Sequence, residues 1–276
     1  MTRKTPFGSR LYTVLVFLFL YAPIAVLILF SFNAGKSTAV FEGFSLYWYK
    51  ELLNDAATLE AFKNSMIVAV ISSIIATVMG TAAATAIFSY KNKLLKSSIM
   101  TVTNIPMINP EIVTGISIML LFVFMGSIFG KTGTLGFATL IIAHTTFELP
   151  YVILNVLPKL RQTDPHLSEA AQDLGCTPFQ AFFKVVLPAI MPGIISGLMM
   201  AFTLSVDDFI ISYFVSGTDS QTLPIRIFSM TKRRVTPDMY ALSTIIFLAI
   251  LVLLIISNVV SAQGDKKLSR KGGGKK

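Results

Sequence analysis

The chain has a single cysteine, Cys176, so no disulfide can close within it. Its two histidines, His144 and His166, lie far apart in sequence and do not make a zinc-ligand pattern with one thiol. Charge is scarce. Charged types make up 13% of the 276 residues, against roughly 25% in soluble domains. No complete nucleotide loop is present. Residues 126–132 read Gly-Ser-Ile-Phe-Gly-Lys-Thr, one residue short of a phosphate loop and with no strand before them. Residues 33–37, Asn-Ala-Gly-Lys-Ser, lack the first glycine. Neither His-Glu-x-x-His nor Gly-x-Ser-x-Gly occurs, which leaves an intramembrane hydrolase without its machinery.

Apolar side chain is what the sequence holds in excess. Hydrophobic types reach 54%, and the mean hydropathy is +0.71. A soluble globule lacks the interior to hide that much, and a disordered chain shows the opposite balance. The remaining class is an all-α integral membrane protein with several spans. The net charge of +9 then reads as basic residues at membrane edges rather than as a nucleic-acid surface.

A hydrocarbon core of roughly 30 Å needs about 20 helical residues. Six stretches qualify: 11–32, 65–88, 98–124, 135–157, 189–215 and 239–261. The first is longer than a signal-peptide core and has no convincing cleavage site after it, so it is expected to be a retained span. The third is interrupted by Pro106 and Pro110 and contains Asn104, Asn109 and Glu111. It is expected to face protein or a wet cavity, because prolines free backbone groups that lipid cannot satisfy. This predicts a cytoplasmic segment 1–10, a transmembrane domain 11–261 and a basic tail 262–276. With six spans, fifteen of the 23 Lys and Arg fall on the side of both termini and eight on the other, among them Lys232, Arg233 and Arg234. That asymmetry places both termini in the cytoplasm. The polar, glycine-rich tail is expected to be unstructured and to touch anionic lipid. In the outer segment 33–64, Phe44, Tyr47, Trp48 and Tyr49 suit an interfacial aromatic helix.

The cytoplasmic segment 158–188 is too long and polar for a turn. Its residues predict two short helices. Ser168, or Asp164 followed by Pro165, starts the first, and Gly175 ends it. Thr177 caps the second with Pro178 at its first position, Phe179, Phe182, Phe183 and Val186 recur at helical spacing, and Pro188 closes it. A helix–turn–helix could also read DNA. Here three basic residues (Lys159, Arg161, Lys184) balance three acidic ones (Asp164, Glu169, Asp173), and a neutral element gains little from phosphates.

The order Glu169-Ala170-Ala171, Gly175 and Leu187-Pro188, before the next-to-last span, resembles the EAA signature of ABC-importer permeases. The likeness covers nearly the whole chain. Asn109-Pro110-Glu111-Ile112-Val113, Thr203-Leu204-Ser205-x-Asp207-Asp208 and Leu223-Pro224-Ile225-Arg226 are similar to the second permease of spermidine/putrescine transporters. So is Thr236-Pro237-Asp238-Met239-Tyr240. The acidic Glu148 departs from that pattern. The resemblance implies a six-helix type I (MetI-like) importer permease in a bacterial inner membrane. It implies a second homologous permease, two copies of a cytoplasmic ATPase and an extracytoplasmic polyamine-binding protein. This chain would bind no cofactor, ATP-Mg being held by the ATPase. Glu169, Ala170, Ala171, Asp173, Gly175, Leu187 and Pro188 would carry the contact with it.

Four carboxylates fall inside the spans: Glu111, Glu148, Asp207 and Asp208. An acid at a helix centre costs about 2.5–3.5 kcal/mol, so such residues face a bundle or a wet path. Each is either a hydrogen-bonded structural acid or a cation contact. A polyamine, with several spaced ammonium groups, needs several spaced acids, and aromatic faces add cation–π contact. Asp207, Asp208, Glu148, Glu111, Trp48 and Tyr213 are therefore the expected path residues. An ABC permease for a metal cation, thiamine or an anion, and a secondary transporter, are the alternatives. The acids count against an anion, and the 169–188 signature counts against a transporter that needs no ATPase.

Overall fold

The computed structural model describes the chain except residues 1–6, 38–39, 131–132, 165, 219, 233–236 and 273–276. Lys131, Thr132, Pro165, Arg233, Arg234 and Thr236, read above from the sequence, lie outside the described residues. In chain order the helices are α1 (Phe7–Ser31), α2 (Tyr47–Asn54), α3 (Ala56–Ser89), α4 (Lys93–Ile108), α5 (Glu111–Ile128) and α6 (Phe137–Gln162). There follow α7 (Leu167–Asp173), α8 (Pro178–Ala181), a π-helical segment (Phe182–Val186), α9 (Leu187–Asp207), α10 (Ile210–Val215), α11 (Leu223–Thr231) and α12 (Pro237–Gly272). No strand occurs among the described residues; one isolated bridge pairs Asn33 with Phe44.

Among the described residues, five helices are long and apolar enough to cross a membrane: Gly8–Ser31, Ala56–Ser89, Glu111–Ile128, Phe137–Gln162 and Pro178–Asp207. A shorter apolar stretch, Pro237–Val252, stands where the sixth span is expected. Two expected spans are interrupted. In the third, Pro110 holds Asn109 extended (φ −71°, ψ 136°), so α4 stops and Glu111 opens α5 instead of lying inside one helix. In the fifth, the helix breaks at Asp208 and resumes as α10. The basic tail is helical through Gly272, where its glycines and charges predict an unstructured segment.

The chain forms two compact units. One comprises residues 1–59 and 226–249. Within it Asn33 organises the outer loop. Its Nδ2 donates to Ser37 O at 2.9 Å and Val40 O at 2.8 Å, its Oδ1 accepts from Glu42 N at 2.8 Å, and its carbonyl accepts from Trp48 Nε1 at 2.9 Å. Arg226 Nη2 donates to Asp55 Oδ2 at 3.0 Å.

The other unit comprises residues 60–225 and 250–276. Its core lies where α6 runs between α3 and α9, through Ala76, Val152, Val156, Ile190 and Ala201. Small residues set that spacing. A Cβ on Gly80 of α3 would meet Val152 at 2.7 Å, and one on Gly197 of α9 would meet the same valine at 3.3 Å. Ser196 Oγ donates to Asn155 Oδ1 at 3.0 Å. Small residues let backbones approach where lipid supplies no hydrophobic drive between helices. Gly217 closes α10 at φ +67°, with Leu135 O only 2.5 Å from where a Cβ would stand.

Candidate functional site: a buried polar chain and an exposed loop

Two groups of residues carry the chemistry, and both belong to the second unit. The first crosses the helices α3, α6, α9 and α10. Glu148 and His144 sit one turn apart on α6 and are 0% and 1% exposed. Ser72 Oγ donates to Glu148 Oε1 at 2.8 Å, while Glu148 Oε2 is buried with no hydrogen-bond partner among the described residues. His144 Nδ1 lies 2.6 Å from Ser205 Oγ, and Nε2 lies 2.9 Å from Ser212 Oγ. The Ser212 hydroxyl donates to Asp208 Oδ2 at 2.8 Å. Its proton is thereby committed, so it can only accept from His144 Nε2–H, which fixes the tautomer. A hydroxyl–carboxylate–imidazole chain therefore joins four helices inside the bundle.

Asp208 has a second task. Its carboxylate accepts from Ile211 N at 3.3 Å and Ser212 N at 2.7 Å, the first free backbone donors of α10. It thus satisfies the helix break, as a carboxylate does at any helix start. This is a structural role that adjacency to Asp207 does not reveal. Asp207, last residue of α9, is exposed. Glu111 is exposed at the start of α5. Tyr213 is 47% exposed, its ring 5.6 Å from that of Phe209. Of the expected path residues, then, Glu148 and Asp208 come together through His144, while Asp207, Glu111 and Tyr213 stand open. Trp48 is buried in the other unit, its indole N–H spent on Asn33 O.

His144, Ser72 and Ser205 are not among the residues expected at this site. A signal existed. His144 and Glu148 are four apart, as are Asp208 and Ser212, and residues four apart share a helix face.

The second group is the 158–188 loop. Helix α7 ends in a Schellman turn: Cys176 N donates to Ala171 O at 3.1 Å and Gly175 N to Gln172 O at 2.9 Å, with Gly175 at φ +89°. Thr177 caps α8 through a reciprocal pair with Gln180, as expected. Glu169 is exposed and lies 3.0 Å from His166 Nδ1. That hydrogen bond and the carboxylate's charge raise the His166 pKa above its ordinary 6.5. Ala171 is buried, whereas Ala170, Asp173 and Pro188 are exposed and Leu187 is half-buried. Leu174 and Phe179 present apolar side chains, 88% and 72% exposed.

Pro188 does not close the second loop helix. The helix runs on, through the π-helical segment, into α9, and Leu187 N reaches back five residues to Phe182 O. The wider π turn admits a proline that would otherwise clash with the carbonyl four residues back. The four apolar residues also divide: Phe182 and Val186 turn inward, while Phe179 and Phe183 stay exposed with ring centroids 4.5 Å apart.

The comparisons agree with this architecture. Residues 76–270 match the family of binding-protein-dependent transport system inner membrane components. The putrescine transport system permease protein PotI of Escherichia coli (strain K12) is 38% identical over 254 residues, covering 92% of this chain and 90% of that protein. The spermidine/putrescine transport system permease protein PotC of Escherichia coli (strain K12) is 36% identical over 253 residues, covering 91% and 92%. Among solved structures, a bacterial ABC transporter involved in import of the acidic polysaccharide alginate superposes with a TM-score of 0.71 at 17% identity. That alignment covers 93% of this chain and 94% of the other. The MetNI methionine ABC transporter gives 0.56 at 16% identity over 77% and 94%. Identities this low speak for the fold alone. Taken with the family match and the relatives above a third identical, they establish that the chain belongs to the binding-protein-dependent transport system inner membrane components, the permease subunits of ABC transporters, which are not enzymes.

Proposed function

We propose that this chain forms half of the translocation path of an ATP-driven importer of polyamines, putrescine or spermidine. The observation that carries this reading is the identity of 38% and 36%, over nine-tenths of the chain, to permeases named for those cargoes. The distribution of acids supports it. Exposed Asp207 and Glu111 offer carboxylates to a passing ammonium, and Tyr213 offers a π face. Glu148 and Asp208 are sealed in the bundle; Glu148 Oε2 is the acceptor that becomes available to a cation when α3, α6 and α9 part.

Membership of the family supports these partners for the importer: a second homologous permease, two cytoplasmic ATPase subunits that would hold ATP-Mg, and an external polyamine-binding protein. A structural neighbour is the alginate transporter in complex with its periplasmic protein. The charge asymmetry supports an orientation with both termini in the cytoplasm of a bacterial inner membrane. The 158–188 loop would then meet the ATPase, with Glu169, Leu174 and Phe179 at its exposed surface. ATP binding and cargo must favour different states of the bundle for transport to be driven.

The test is uptake of labelled putrescine into proteoliposomes holding all partners, with and without the double variant Asp207→Asn/Asp208→Asn. Loss of uptake and of polyamine-stimulated ATP hydrolysis is expected. Unchanged values for both would remove these acids from the path, and uptake without any ATPase would overturn the importer reading.

A further inference from the structure

We propose that the cavity at the root of the 158–188 loop binds a primary alkylammonium, and that the bound ion holds the loop against the ends of α3 and α6. The cavity has a volume of about 160 Å³, about five water volumes and so the bulk of a four-carbon amine. Two of its walls, Thr85 to Ser89 of α3 and Leu160 of α6, belong to spans, and Thr163 and Asp164 directly follow the end of α6. The other two, Ser168 of α7 and Phe182 and Val186 of the π-helical segment, belong to the loop.

The lining selects a donor. Thr85, Ser89 and Thr163 each give their hydroxyl proton to a carbonyl one turn back, at 2.8, 2.9 and 2.8 Å. Their remaining lone pairs can only accept. Asp164, an exposed residue, adds a carboxylate whose Oδ1 takes the His166 N–H at 2.9 Å. No lining residue is basic, and Phe88 and Phe182 supply ring faces beside the acceptors. Acceptors, one negative charge and aromatic faces suit the head of an ammonium and not an anion, and Leu160 and Val186 suit its alkyl tail. One lining residue already meets a tethered ammonium. Lys96 Nζ stands 5.4 Å above the Phe88 ring and 3.4 Å from Phe88 O. Because the walls come from both spans and loop, an occupant bridges the parts that must shift for the loop to move, and so slows turnover. Only the source of the ion rests on the polyamine reading: cargo released inside the cell carries this group, and so does an ethanolamine lipid headgroup.

The experiment uses the whole importer in nanodiscs, with n-butylammonium as probe and n-butanol as its uncharged counterpart. Calorimetry should show saturable butylammonium binding, weakened about threefold by Asp164→Asn, which keeps the acceptor for His166 N–H but not the charge. Thr85→Leu, which fills the cavity from α3, should abolish it. Saturating butylammonium should lower binding-protein-stimulated ATP hydrolysis severalfold in the wild type and leave Thr85→Leu unaffected. Absence of saturable heat, equal affinity in both variants and wild type, or equal inhibition by n-butanol would each overturn the site. Weaker apparent affinity in discs containing phosphatidylethanolamine assigns the resident ammonium to lipid; equal affinity assigns it to soluble amine. Putrescine uptake is measured in parallel. Binding without putrescine uptake leaves this site standing and removes the cargo reading, and uptake without binding does the reverse.

Discussion

Asp207 and Asp208 are neighbours in sequence with opposite expected fates on mutation. The Asp208 side chain is 4% exposed and accepts from Ile211 N, Ser212 N and Ser212 Oγ at 3.3, 2.7 and 2.8 Å. Asp208→Ala strands two buried backbone donors at the start of α10 and releases the hydroxyl that orients His144 Nε2. Side-chain hydrogen bonds inside membrane proteins average about 0.6 kcal/mol, while bonds to a charged acceptor in soluble proteins reach about 1.5 kcal/mol or more. Three bonds in that range amount to a loss of roughly 2–4 kcal/mol. Asp207 is exposed, and its truncation should stay within about 0.5 kcal/mol. Unfolding of each purified variant in mixed micelles, followed by helicity, reads the difference. Uptake should show the reverse emphasis: Asp207→Asn folds normally but raises the apparent KM for the cation. A stability loss for Asp207→Ala as large as that for Asp208→Ala would refute the assignment of the cap.

Gly197→Leu should cost about 1–3 kcal/mol by overpacking, since Val152 already stands 3.3 Å from the position of a Cβ; Gly8→Ala, with nothing within 4 Å, should be neutral, and the same micelle unfolding compares them. His166 is protonated more readily because of Glu169, so their pairing supports α7 fully below pH 6.5 and fades as pH rises through the raised midpoint. An NMR titration of His166 should move back toward 6.5 in Glu169→Gln. Burial pushes the Asp55 pKa up, but the Thr58 hydroxyl and the Arg226 guanidinium outweigh it and hold it below 3.8. The contribution of this pair is present above pH 3.8 and lost as pH falls through the lowered value; Arg226→Ala should therefore unfold the outer segment at higher pH in an acid titration followed by Trp48 fluorescence.

Much of this was legible in the sequence because the bilayer leaves few choices. Runs of about 20 apolar residues must be helical, and Gly175, Thr177 and Pro178 mark their turn by backbone chemistry alone. What was missed depends on distance in space. Nothing local says that Ser72 reaches Glu148, 76 residues away, or that Asp208 turns back on its own chain while Asp207 does not. Pro188 departs from its expected role for a related reason. A proline ends a helix only if the preceding turn has ordinary width, and the π-helical segment supplies a wider one.

That wide turn has a mechanical consequence. From Pro178 to Asp207 the chain is one uninterrupted rod of about 45 Å, with its tip at the face proposed to meet the ATPase and its far end at the proposed cation path. Such a shaft carries both thrust and torque. Shifting one residue between π and α register rotates everything beyond it by about 100°, so a small displacement at Phe179 can arrive at Asp207 as a swivel.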